Sequence, residues 1–463
     1  MTGIGRPARH AVVVGAGMGG LLAARVLGES FDRVTVLDRD ALPGEGVPRR
    51  GVPQGHHAHG LLSRGREILD ELFPGLLDDL VAAGAVPCDI QRDVHWYNDG
   101  LLLRPASSRL RGLSVSRPLL ERYVRSRVEA LPGVVIQDRR EVVEPVAVRP
   151  GVVTGVRVAR PGRPGEPGEF EEIEADLVVN ATGRGNRGTE WLRRLGYEPA
   201  AEERVDSRLV YVSREYRRRP GDAEVVAMIV GHGTAVPRGG VALSGEGDRW
   251  LVTLYGMGDD IPPTDPDGYH RFAARLPVPD LHRLLERLEP LGDPRLMRIP
   301  VSVRRRYERL RRFPEGYLVF GDALCQFNPT YGQGMTVAAC EAVALRECLA
   351  APGGRDGLAR RFHGRAARII DVAWDISVGG DLRFPSVEGP RPLRLKLLNA
   401  YIARLHVAAG ADPAVGHAFL SVANLQAPPQ RLLSPGVLAR VLRPRPGRAR
   451  HKTPARDRVP AGQ

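Results

Sequence analysis

Apolar residues near the start of the chain form two short runs, separated by glycines and a helix-like segment. Residues 10–14, HAVVV, are almost entirely apolar, as in a strand buried within a parallel sheet. A helix-like pattern covers about residues 21–27, and the next apolar run, RVTVLD, ends at Asp38. This order of strand, helix and strand predicts a βαβ unit.

Helical and strand-like patterns alternate through the middle of the chain. Helical periodicity covers about residues 61–83, 117–130 and 268–289. Strand-like runs at residues 151–160 and 170–182 flank a segment rich in Pro and Gly. This arrangement predicts a hairpin with an exposed loop.

Two later regions settle the predicted fold class. Several strand-like runs between about residues 205 and 260 predict an antiparallel sheet. The run GYLVF at residues 316–320 and the helix-like run after it return to the βα order, and residues 393–443 indicate helices interrupted by proline. The predicted class is α/β, or α+β overall, with a Rossmann-like domain, an inserted antiparallel-sheet domain and C-terminal helices.

The positive charge is concentrated at the end of the chain. The formal net charge is +13, and from Arg443 onward six Arg, one Lys and one Asp give 7 − 1 = +6. Elsewhere the basic residues are scattered and nearly all are Arg, with Lys only at Lys396 and Lys452. This distribution indicates a compositional bias, so we expect no nucleic-acid partner. Residues 444–463 are predicted to form a disordered basic tail.

The cysteines and the apolar runs bear on the cellular compartment. Cys88, Cys325, Cys340 and Cys348 form no Cys-x-x-Cys pair and show no zinc or disulfide spacing, so we expect a reduced, cytoplasmic setting. No uninterrupted apolar stretch reaches transmembrane length, and we expect no membrane span. Glycines after residue 14 interrupt the apolar core that a secretory signal would need.

The segment VVVGAGMGGLLAARVL contains the pattern Gly15-x-Gly17-x-x-Gly20 between a predicted strand and a predicted helix. The pattern is weak alone, but the next strand ends in an acid, Asp38, 18 residues after Gly20. Gly15 permits a tight turn, Gly17 lets a pyrophosphate approach the backbone, and Gly20 allows close packing of helix on strand. The context predicts a dinucleotide site of the NAD or FAD type.

A second glycine-rich segment, GDALCQFNPTYGQGM, spans residues 321–335. Asp322 follows a strand, at the carboxyl end where open α/β sheets bind ligands. Gly332 and Gly334 open a helix whose first N–H groups lack backbone partners. The ribityl hydroxyls and the electron-rich pyrimidine edge of a flavin match this acceptor and these donors. The alternative is a plain glycine-rich helix entry with Asp322 as its N-cap.

With these motifs, the chain resembles the FAD-dependent monooxygenases of the aromatic hydroxylase and squalene epoxidase group. Within that group it is most similar to bacterial flavin-dependent epoxidases of polyether-antibiotic biosynthesis. The matching segments are the two glycine-rich motifs and residues 49–62, 116–121 and 175–185. They span about residues 11–345, and related hydroxylases share the same pieces.

The resemblance implies FAD as cofactor and assigns residues to it. Asp38 would bind the adenosine ribose, Asp322 would hold the ribityl chain or pyrophosphate, and Arg117, with Arg49 or Arg50, would contact FAD. Solvated arginines are the alternative for Arg49 and Arg117. The implied cofactor-binding residues are Gly15, Ala16, Gly17, Met18, Gly19, Gly20, Asp38, Arg39, Arg49, Arg117, Gly321, Asp322, Gly334 and Met335. The implied flavin-edge backbone is Pro329, Gly332, Gln333, Gly334 and Met335.

The resemblance also implies a domain organisation. A discontinuous FAD-binding domain would comprise residues 1–88, 116–200 and 300–370. The antiparallel-sheet substrate domain would comprise residues 89–115 and 201–299, and residues 371–443 would form a C-terminal helical segment.

The implied reaction is a monooxygenation. Reduced FAD would react with O₂ to give a C4a-hydroperoxide, whose distal oxygen attacks an alkene or an electron-rich ring of an apolar secondary metabolite. NADPH or NADH would be the electron donor, directly or through a separate flavin reductase. Many NADPH-using hydroxylases of the group carry Asp-Gly where this chain has Thr182-Gly183, which puts direct NADPH use in question.

Several weaker signals leave alternatives open. Val210, Val212, Met228 and Leu254 are candidate walls of an apolar, aromatic-poor substrate site, or core residues. His56, His57 and His59 lack a nearby carboxylate set, so we predict no metal site, and the four Trp read as packing residues without the Trp-x-Trp-x-Ile-Pro signature of halogenases. The alternative functions are an FAD-dependent dehydrogenase or reductase of a prenyl or polyketide substrate without oxygen insertion, and a flavin-binding protein with a structural role.

Overall fold

The computed structural model describes residues 9–44, 47–49, 51–159, 169–233 and 236–443. The predicted tail at residues 444–463, Arg50 and the hairpin loop at residues 161–168 lie outside the described residues.

The strands follow the chain from the predicted βαβ unit to the segment before residue 330. In chain order they are β1 His10–Val14, β2 Arg33–Leu37, β3 Gly60–Leu61, β4 Val86–Asp89, β5 Val94–Asn98, β6 Leu101–Leu102, β7 Arg111–Ser114, β8 Val134–Gln137, β9 Glu141–Val146, β10 Gly155–Ala159, β11 Phe170–Glu174, β12 Leu177–Asn180, β13 Glu202–Arg217, β14 Ala227–Val230, β15 Arg238–Gly245, β16 Arg249–Gly256, β17 Arg295–Arg305, β18 Tyr317–Val319 and β19 Cys325–Gln326.

The helices cluster around the first sheet and in the C-terminal third. They are α1 Met18–Leu27, α2 Ser63–Leu72, α3 Leu76–Ala82, α4 Arg117–Glu129, α5 Gly188–Arg194, α6 Pro266–Ala274, α7 Asp280–Leu285, α8 Gly334–Ala350, α9 Leu358–Asp381, α10 Leu393–Ala409, α11 Pro413–Ala423 and α12 Pro435–Leu442.

The N-terminal βαβ prediction is confirmed by a five-stranded sheet with the order β18-β12-β1-β2-β8. All four of its strand pairs are parallel. Strands β1 and β12 are buried along their whole length, as their continuous apolar runs predict. The Rossmann-like α/β class is therefore confirmed.

The antiparallel sheet has more strands than the sequence pattern predicts. It has eight strands in the order β19-β17-β13-β16-β15-β14-β5-β6, and only the β14–β5 pair is parallel. The predicted domain boundary between residues 299 and 300 falls within strand β17. Cys325 and Gln326, which had no predicted role, pair with Arg304 and Val303 as the edge strand β19.

Two predicted helices are each split in two by turn residues. The run at residues 61–83 forms α2 and α3, because Pro74 interrupts it and Gly75 adopts a positive φ of 81° as the N-cap of α3. The run at residues 268–289 forms α6 and α7, with Pro277 and Pro279 between them.

Three buried clusters hold the layers together. The largest joins the parallel sheet to α1, α2, α4, α8 and α9. A second lies between one face of the eight-stranded sheet and α6 and α7, and a third is formed by α10, α11 and α12 with residues near β4 to β7. The other face of the large sheet is turned toward the first cluster, which includes Tyr211 and Tyr255. Among the described residues, no helix is both long and apolar enough to cross a membrane.

Candidate functional site

A cavity of about 490 Å³ lies beyond the carboxyl ends of the parallel strands. Its walls include the last residues of β1 and β2 and the residues that follow β12 and β18. The volume is within the range of about 300–1,000 Å³ that small-molecule sites occupy. Of the predicted site residues, those that line it are Gly15, Gly17, Met18, Gly19, Asp38, Arg39, Arg49, Arg117, Gly321, Asp322, Pro329, Gly332, Gln333, Gly334 and Met335.

The backbone requires glycine at two positions of the first motif, Gly15 and Gly20, whereas Gly17 leaves open space beside the backbone. Gly15 has φ +106°, and a Cβ on Gly20 would lie 1.8 Å from the Gly15 carbonyl oxygen. Both must therefore be glycine. A Cβ on Gly17 would meet only Arg49 Nη2, at 3.8 Å, so this position opens into the cavity. Gly17 is also the N-cap of α1, and no side chain caps that helix.

Ala16 and Gly20 do not line the cavity but shape it. Gly20 packs beneath Gly15. The Ala16 N–H donates to Asp38 Oδ2 at 2.7 Å. The Asp38 carboxylate, which is predicted to bind a ribose, therefore also holds the glycine loop in place through this hydrogen bond. Its Oδ1 also accepts the Asp40 N–H at 2.9 Å.

Arg49 is the centre of a buried charge network. Its Nε donates to Glu121 Oε1 at 3.0 Å, and its Nη1 donates to Asp38 Oδ2 at 3.2 Å. Arg117 Nε donates to the other oxygen of Glu121 at 3.1 Å. Arg49 Nη2 makes no hydrogen bond to a described residue and lies beside the opening at Gly17. Neither arginine is simply solvated, because the Arg49 side chain is only 8% exposed.

The second motif lies on the opposite wall. Gly321, at φ +67°, faces Gly19 across a gap in which its Cβ would be 3.8 Å from the Gly19 Cα. The Asp322 carboxylate makes no side-chain hydrogen bond within the described residues, and its nearest cation is Arg184, at 4.0 Å. Helix α8 begins at Gly334, twelve residues after Asp322, with Gln333 as an N-cap whose side chain does not cap it. Asp322 is therefore not the cap of this helix.

Three buried polar side chains of α8 and its N-cap, those of Gln333, Thr336 and Glu341, lack full partners among the described residues. Gln333 is 1% exposed, and its Oε1 accepts no hydrogen bond. Glu341 is fully buried, and its Oε2 accepts the Gly321 N–H at 2.7 Å while Oε1 is unpaired. Burial, reinforced by the nearby Asp322, raises the pKa of Glu341 to about 8. A neutral Glu341 thus holds the turn that carries Asp322.

A second cavity, of about 130 Å³, adjoins the first. It lies against the face of the large sheet that α6 and α7 leave free. The two cavities share the wall residues His59, Gly60, Pro329 and Gly332. The second is lined mainly by apolar and aromatic residues, and no charged side chain of the described chain lines it.

The predicted wall positions of this cavity are on the wrong face of their strands. Val212, Met228 and Leu254 belong to the cluster beneath α6 and α7, and Val210 is buried without lining the cavity. Their neighbours Tyr211, Ile229 and Tyr255 line it instead, because successive residues of a strand point to opposite faces. Trp96, predicted as a packing residue, and Tyr331 also line it, so four aromatic rings stand among aliphatic wall residues.

Of His56, His57 and His59, only His59 lines the two cavities, and His57 is held in place by a hydrogen bond within the protein. His57 is buried, and its Nδ1 lies 2.7 Å from Ser213 Oγ. His59 Nδ1 lies 2.7 Å from the His57 carbonyl oxygen. Burial lowers the pKa of His57 to about 4 and, with Arg117 nearby, that of His59 to about 3. Within the described part of the chain, no group of His, Cys, Asp and Glu is arranged to hold a metal ion.

A buried carboxylate on α9 holds the segment between the cavities. Asp381 is fully buried and accepts Asn328 Nδ2 at 3.0 Å and the Tyr331 hydroxyl at 3.0 Å. Asn328 Oδ1 in turn accepts the Thr330 N–H at 3.0 Å. Burial raises the pKa of Asp381 to about 7.

Sequence reasoning missed three arginines of the first cavity, Arg140, Arg184 and Arg187. Arg140 follows β8 and reaches the site only because β8 pairs with β2. Arg184 follows β12 within the segment ADLVVNATGRG, so a basic residue after a buried strand was an available signal. All three add positive charge to a cavity that the two helix N-termini already make favourable for anions.

Comparisons with known proteins agree with this geometry. The model of the family described as "FAD binding domain" matches residues 9–358. The Mycobacterium tuberculosis protein Rv3254 is 37% identical over 432 residues, covering 91% of this chain and 90% of its own. The chain belongs to the FAD-binding domain family. This is the family of the FAD-dependent monooxygenases and hydroxylases that the sequence resembles, and FAD is its cofactor.

Solved structures share the fold of this FAD-binding family member. A flavoprotein/dehydrogenase from Cytophaga hutchinsonii matches with a TM-score of 0.64 at 17% identity, covering 90% of this chain and 92% of its own. PqsL of Pseudomonas aeruginosa, a probable FAD-dependent monooxygenase, matches with a TM-score of 0.59 at 17% identity, covering 81% and 98%.

The first cavity of the FAD-binding fold fits a dinucleotide on three observations. Gly17 leaves a space that a single Cβ would fill, and Arg49 Nη2 is a free donor beside it. Across the cavity, Gln333 Oε1 is a buried acceptor without a partner among the described residues. Donors at the phosphate end and an acceptor at the other end suit the two halves of FAD.

Substitutions at two glycines should separate folding from cofactor binding. Gly17→Ala should leave the free energy of unfolding of the cofactor-free protein within about 0.5 kcal/mol of wild type, because its Cβ meets no close neighbour. It should weaken FAD binding at least tenfold, about 1.4 kcal/mol, by filling the cradle. Gly20→Ala should destabilise the fold by about 1–3 kcal/mol or more through its clash. Denaturant titration and FAD fluorescence measure both. Equal FAD affinity in Gly17→Ala and wild type would contradict this placement.

The buried carboxyl groups predict a pH dependence of stability. Since the folded-state pKa of Glu341 is raised, its stabilising contribution is complete below about pH 4.5 and is lost as the pH rises through about 8. Glu341→Gln cannot ionise, so its stability should gain on wild type between pH 5 and 9. In Asp381→Asn the gain should be complete near pH 7. Urea unfolding at pH 5, 7 and 9 measures both. A difference that does not change with pH would exclude the raised pKa values.

Proposed function

We propose that the protein is an FAD-dependent monooxygenase that inserts one oxygen atom from O₂ into an apolar small molecule. The single observation that carries this proposal is the junction of the two cavities. A charged cavity that suits FAD, at the N-termini of α1 and α8, adjoins an uncharged, apolar cavity, and the two share the wall residues His59, Gly60, Pro329 and Gly332. A cofactor in the first and a substrate in the second would meet at this junction.

The residues of the first cavity would divide the cofactor between them. Gly17 to Gly20, the N-terminus of α1 and Arg49 would hold the pyrophosphate, and Asp38, which has acceptor capacity left beside Ala16 and Arg49, would hold the adenosine ribose. The Asp322 carboxylate, which makes no side-chain hydrogen bond to another described residue, would accept from the ribityl hydroxyls. Arg39 and Arg117 would add favourable charge near the phosphates.

The flavin ring would lie at the N-terminus of α8. Bound FAD in its reduced form would supply the activation of O₂ and the electrophilic oxygen. The N–H groups of Gln333, Gly334 and Met335, backed by the helix dipole, would face negative charge on the pyrimidine edge, which the backbone of Pro329 and Gly332 would line. The apolar walls of the second cavity would exclude water from the reacting end of the substrate. The chain then needs no side-chain acid or base of its own at this point.

The finer identity of the reaction rests on the resemblance. Flavin-dependent epoxidases of polyether-antibiotic biosynthesis are the most similar group, so we propose alkene epoxidation or hydroxylation of a secondary metabolite by a cytoplasmic enzyme. NADPH or NADH would supply the electrons, directly or through a flavin reductase. Thr182 and Gly183 line the first cavity at the position of the Asp-Gly pair of many NADPH-using hydroxylases, which favours a partner reductase.

Substitution of Asp322 tests the cofactor assignment. Asp322→Ala should lose about ten- to hundredfold in FAD affinity, because hydrogen bonds to a charged acceptor contribute about 1.5–3 kcal/mol. Asp322→Asn should lose less. Asp70→Ala, an exposed aspartate on α2, is the matched control and should bind FAD as wild type does. Full FAD occupancy in purified Asp322→Ala, measured from its visible spectrum, would refute the assignment.

Isotope labelling tests the oxygen insertion. Protein with bound FAD is reduced anaerobically and mixed with ¹⁸O₂ and a panel of apolar alkenes and electron-rich aromatic compounds. We expect one ¹⁸O atom in the product by mass spectrometry and the other in water. Product that is oxidised without ¹⁸O would support the alternative, an FAD-dependent dehydrogenase or reductase of a prenyl or polyketide substrate.

A further inference from the structure

The junction between the cavities contains one polar side chain. Of the four residues that line both cavities, Gly60 and Gly332 have no side chain and Pro329 has no polar one. His59 is the fourth. A substrate in the second cavity whose reacting end lies at this shared wall would therefore meet the His59 imidazole as its polar side chain.

The hydrogen bonds of His59 fix its tautomer. Its Nδ1 lies 2.7 Å from the His57 carbonyl oxygen, which can only accept, so Nδ1 carries the proton. Nε2 of the neutral ring is then an acceptor. Nε2 makes no hydrogen bond to any described residue. It also keeps some accessible surface, so a ligand can reach it. Burial, together with the nearby Arg117 and Arg184, lowers the pKa of His59 to about 3, so the ring is neutral.

The backbone on both sides of His59 is fixed, so the acceptor is preorganised. On one side, the Ala58 N–H donates to Thr253 Oγ1 at 3.2 Å, and His57 is tied to Ser213. On the other side, Gly60 pairs with Ser114 in the β3–β7 ladder. A side chain held in this way loses little freedom when a ligand binds.

Most other polar groups of the second cavity are already paired within the protein. The Tyr255 hydroxyl donates to the Val230 carbonyl oxygen at 3.2 Å, and the Tyr331 hydroxyl donates to Asp381. Ser114, Thr253, Thr330 and Asn424 are likewise engaged. Among the described residues, the Tyr211 hydroxyl and the Trp96 N–H remain without a partner, and both can donate. His59 alone can only accept.

We propose that His59 Nε2 accepts a hydrogen bond from the substrate and so selects an uncharged, apolar molecule that carries a hydroxyl or N–H group next to its reacting end. The aromatic walls formed by Trp96, Tyr211 and Tyr255 hold the apolar body. This inference rests on the proposed function, because it treats the second cavity as the substrate site. His59 acts as a positioning residue and transfers no proton.

A pair of probes that differ at one group tests the inference without turnover. FAD-loaded protein is titrated with 2-naphthol and with 2-methylnaphthalene, in which a methyl group of similar size replaces the hydroxyl. The dissociation constants are read from naphthalene fluorescence. The ratio of the two constants isolates the hydroxyl contribution, and comparison of this ratio between variants cancels the difference in hydrophobicity.

We expect His59→Phe to reduce the preference for 2-naphthol by about tenfold relative to wild type. His59→Gln, whose Oε1 can replace Nε2, should retain most of the preference. Tyr211→Phe removes the other free hydroxyl near the junction and should keep the wild-type ratio, whatever its effect on absolute affinity.

Three outcomes would overturn the proposal: an unchanged ratio in His59→Phe, loss of the preference in Tyr211→Phe instead, or no binding of 2-naphthol to the wild-type protein. The visible spectrum of FAD is recorded in the same samples, and the fluorescence readout involves no oxygen chemistry. A failure of oxygen insertion is therefore distinguishable from a failure of this inference.

Discussion

Helices α1 and α8 begin on opposite walls of one cavity, and neither N-terminus is capped by a side chain. The first N–H groups of a helix need acceptors, and leaving them unpaired in a buried place is costly. Gly321, at the start of the segment that leads to α8, lies close to Gly19 in the first turn of α1, since a Cβ built on Gly321 would be 3.8 Å from the Gly19 Cα. The fold thus concentrates unpaired donors and two positive dipole ends in a single place, which only an anionic or electron-rich ligand can balance. The cofactor site follows from this arrangement.

Two buried carboxyl groups hold the segment 321–335, which leads into α8 and forms one wall of the first cavity. Glu341 on α8 accepts the Gly321 N–H at the start of the segment 321–335, and Asp381 at the end of α9 accepts from Asn328 and Tyr331 further along it. Burial raises the pKa of both groups, to about 8 and about 7. A carboxyl that is largely neutral avoids most of the cost of a buried charge and still accepts hydrogen bonds. The segment between the cavities is therefore held in place, while the N–H groups of Gln333, Gly334 and Met335 at the start of α8 donate to no described residue.

The two glycine motifs were predictable because their chemistry is local. Gly15 and Gly20 must be glycine for steric reasons that a short sequence pattern expresses, and Asp322 follows a recognisable strand. Contacts that depend on chain segments far apart were not predictable. Arg49, which bonds to Asp38 eleven residues before it and to Glu121 72 residues after it, joins distant parts of the chain, and Glu121 shows no pattern that marks it. Likewise, strand β19 exists only because β17 lies beside it.

The wall residues of the second cavity differ from the candidates chosen from the sequence, because those candidates lie on the opposite face of their strands. An apolar substrate suggested aliphatic walls, and Val212, Met228 and Leu254 are the aliphatic positions of their strands. Those positions instead pack beneath α6 and α7, where tight packing needs side chains without polar atoms. The alternate face carries Tyr211, Thr253 and Tyr255, and the hydroxyls of Thr253 and Tyr255 are paired internally. Aromatic rings with most of their polar tips paired, set among aliphatic side chains such as Ile229 and Val241, form a wall that is apolar to a ligand. It leaves polar recognition to the few groups at its edge that the protein has not already paired, and His59 is the one among them that can only accept.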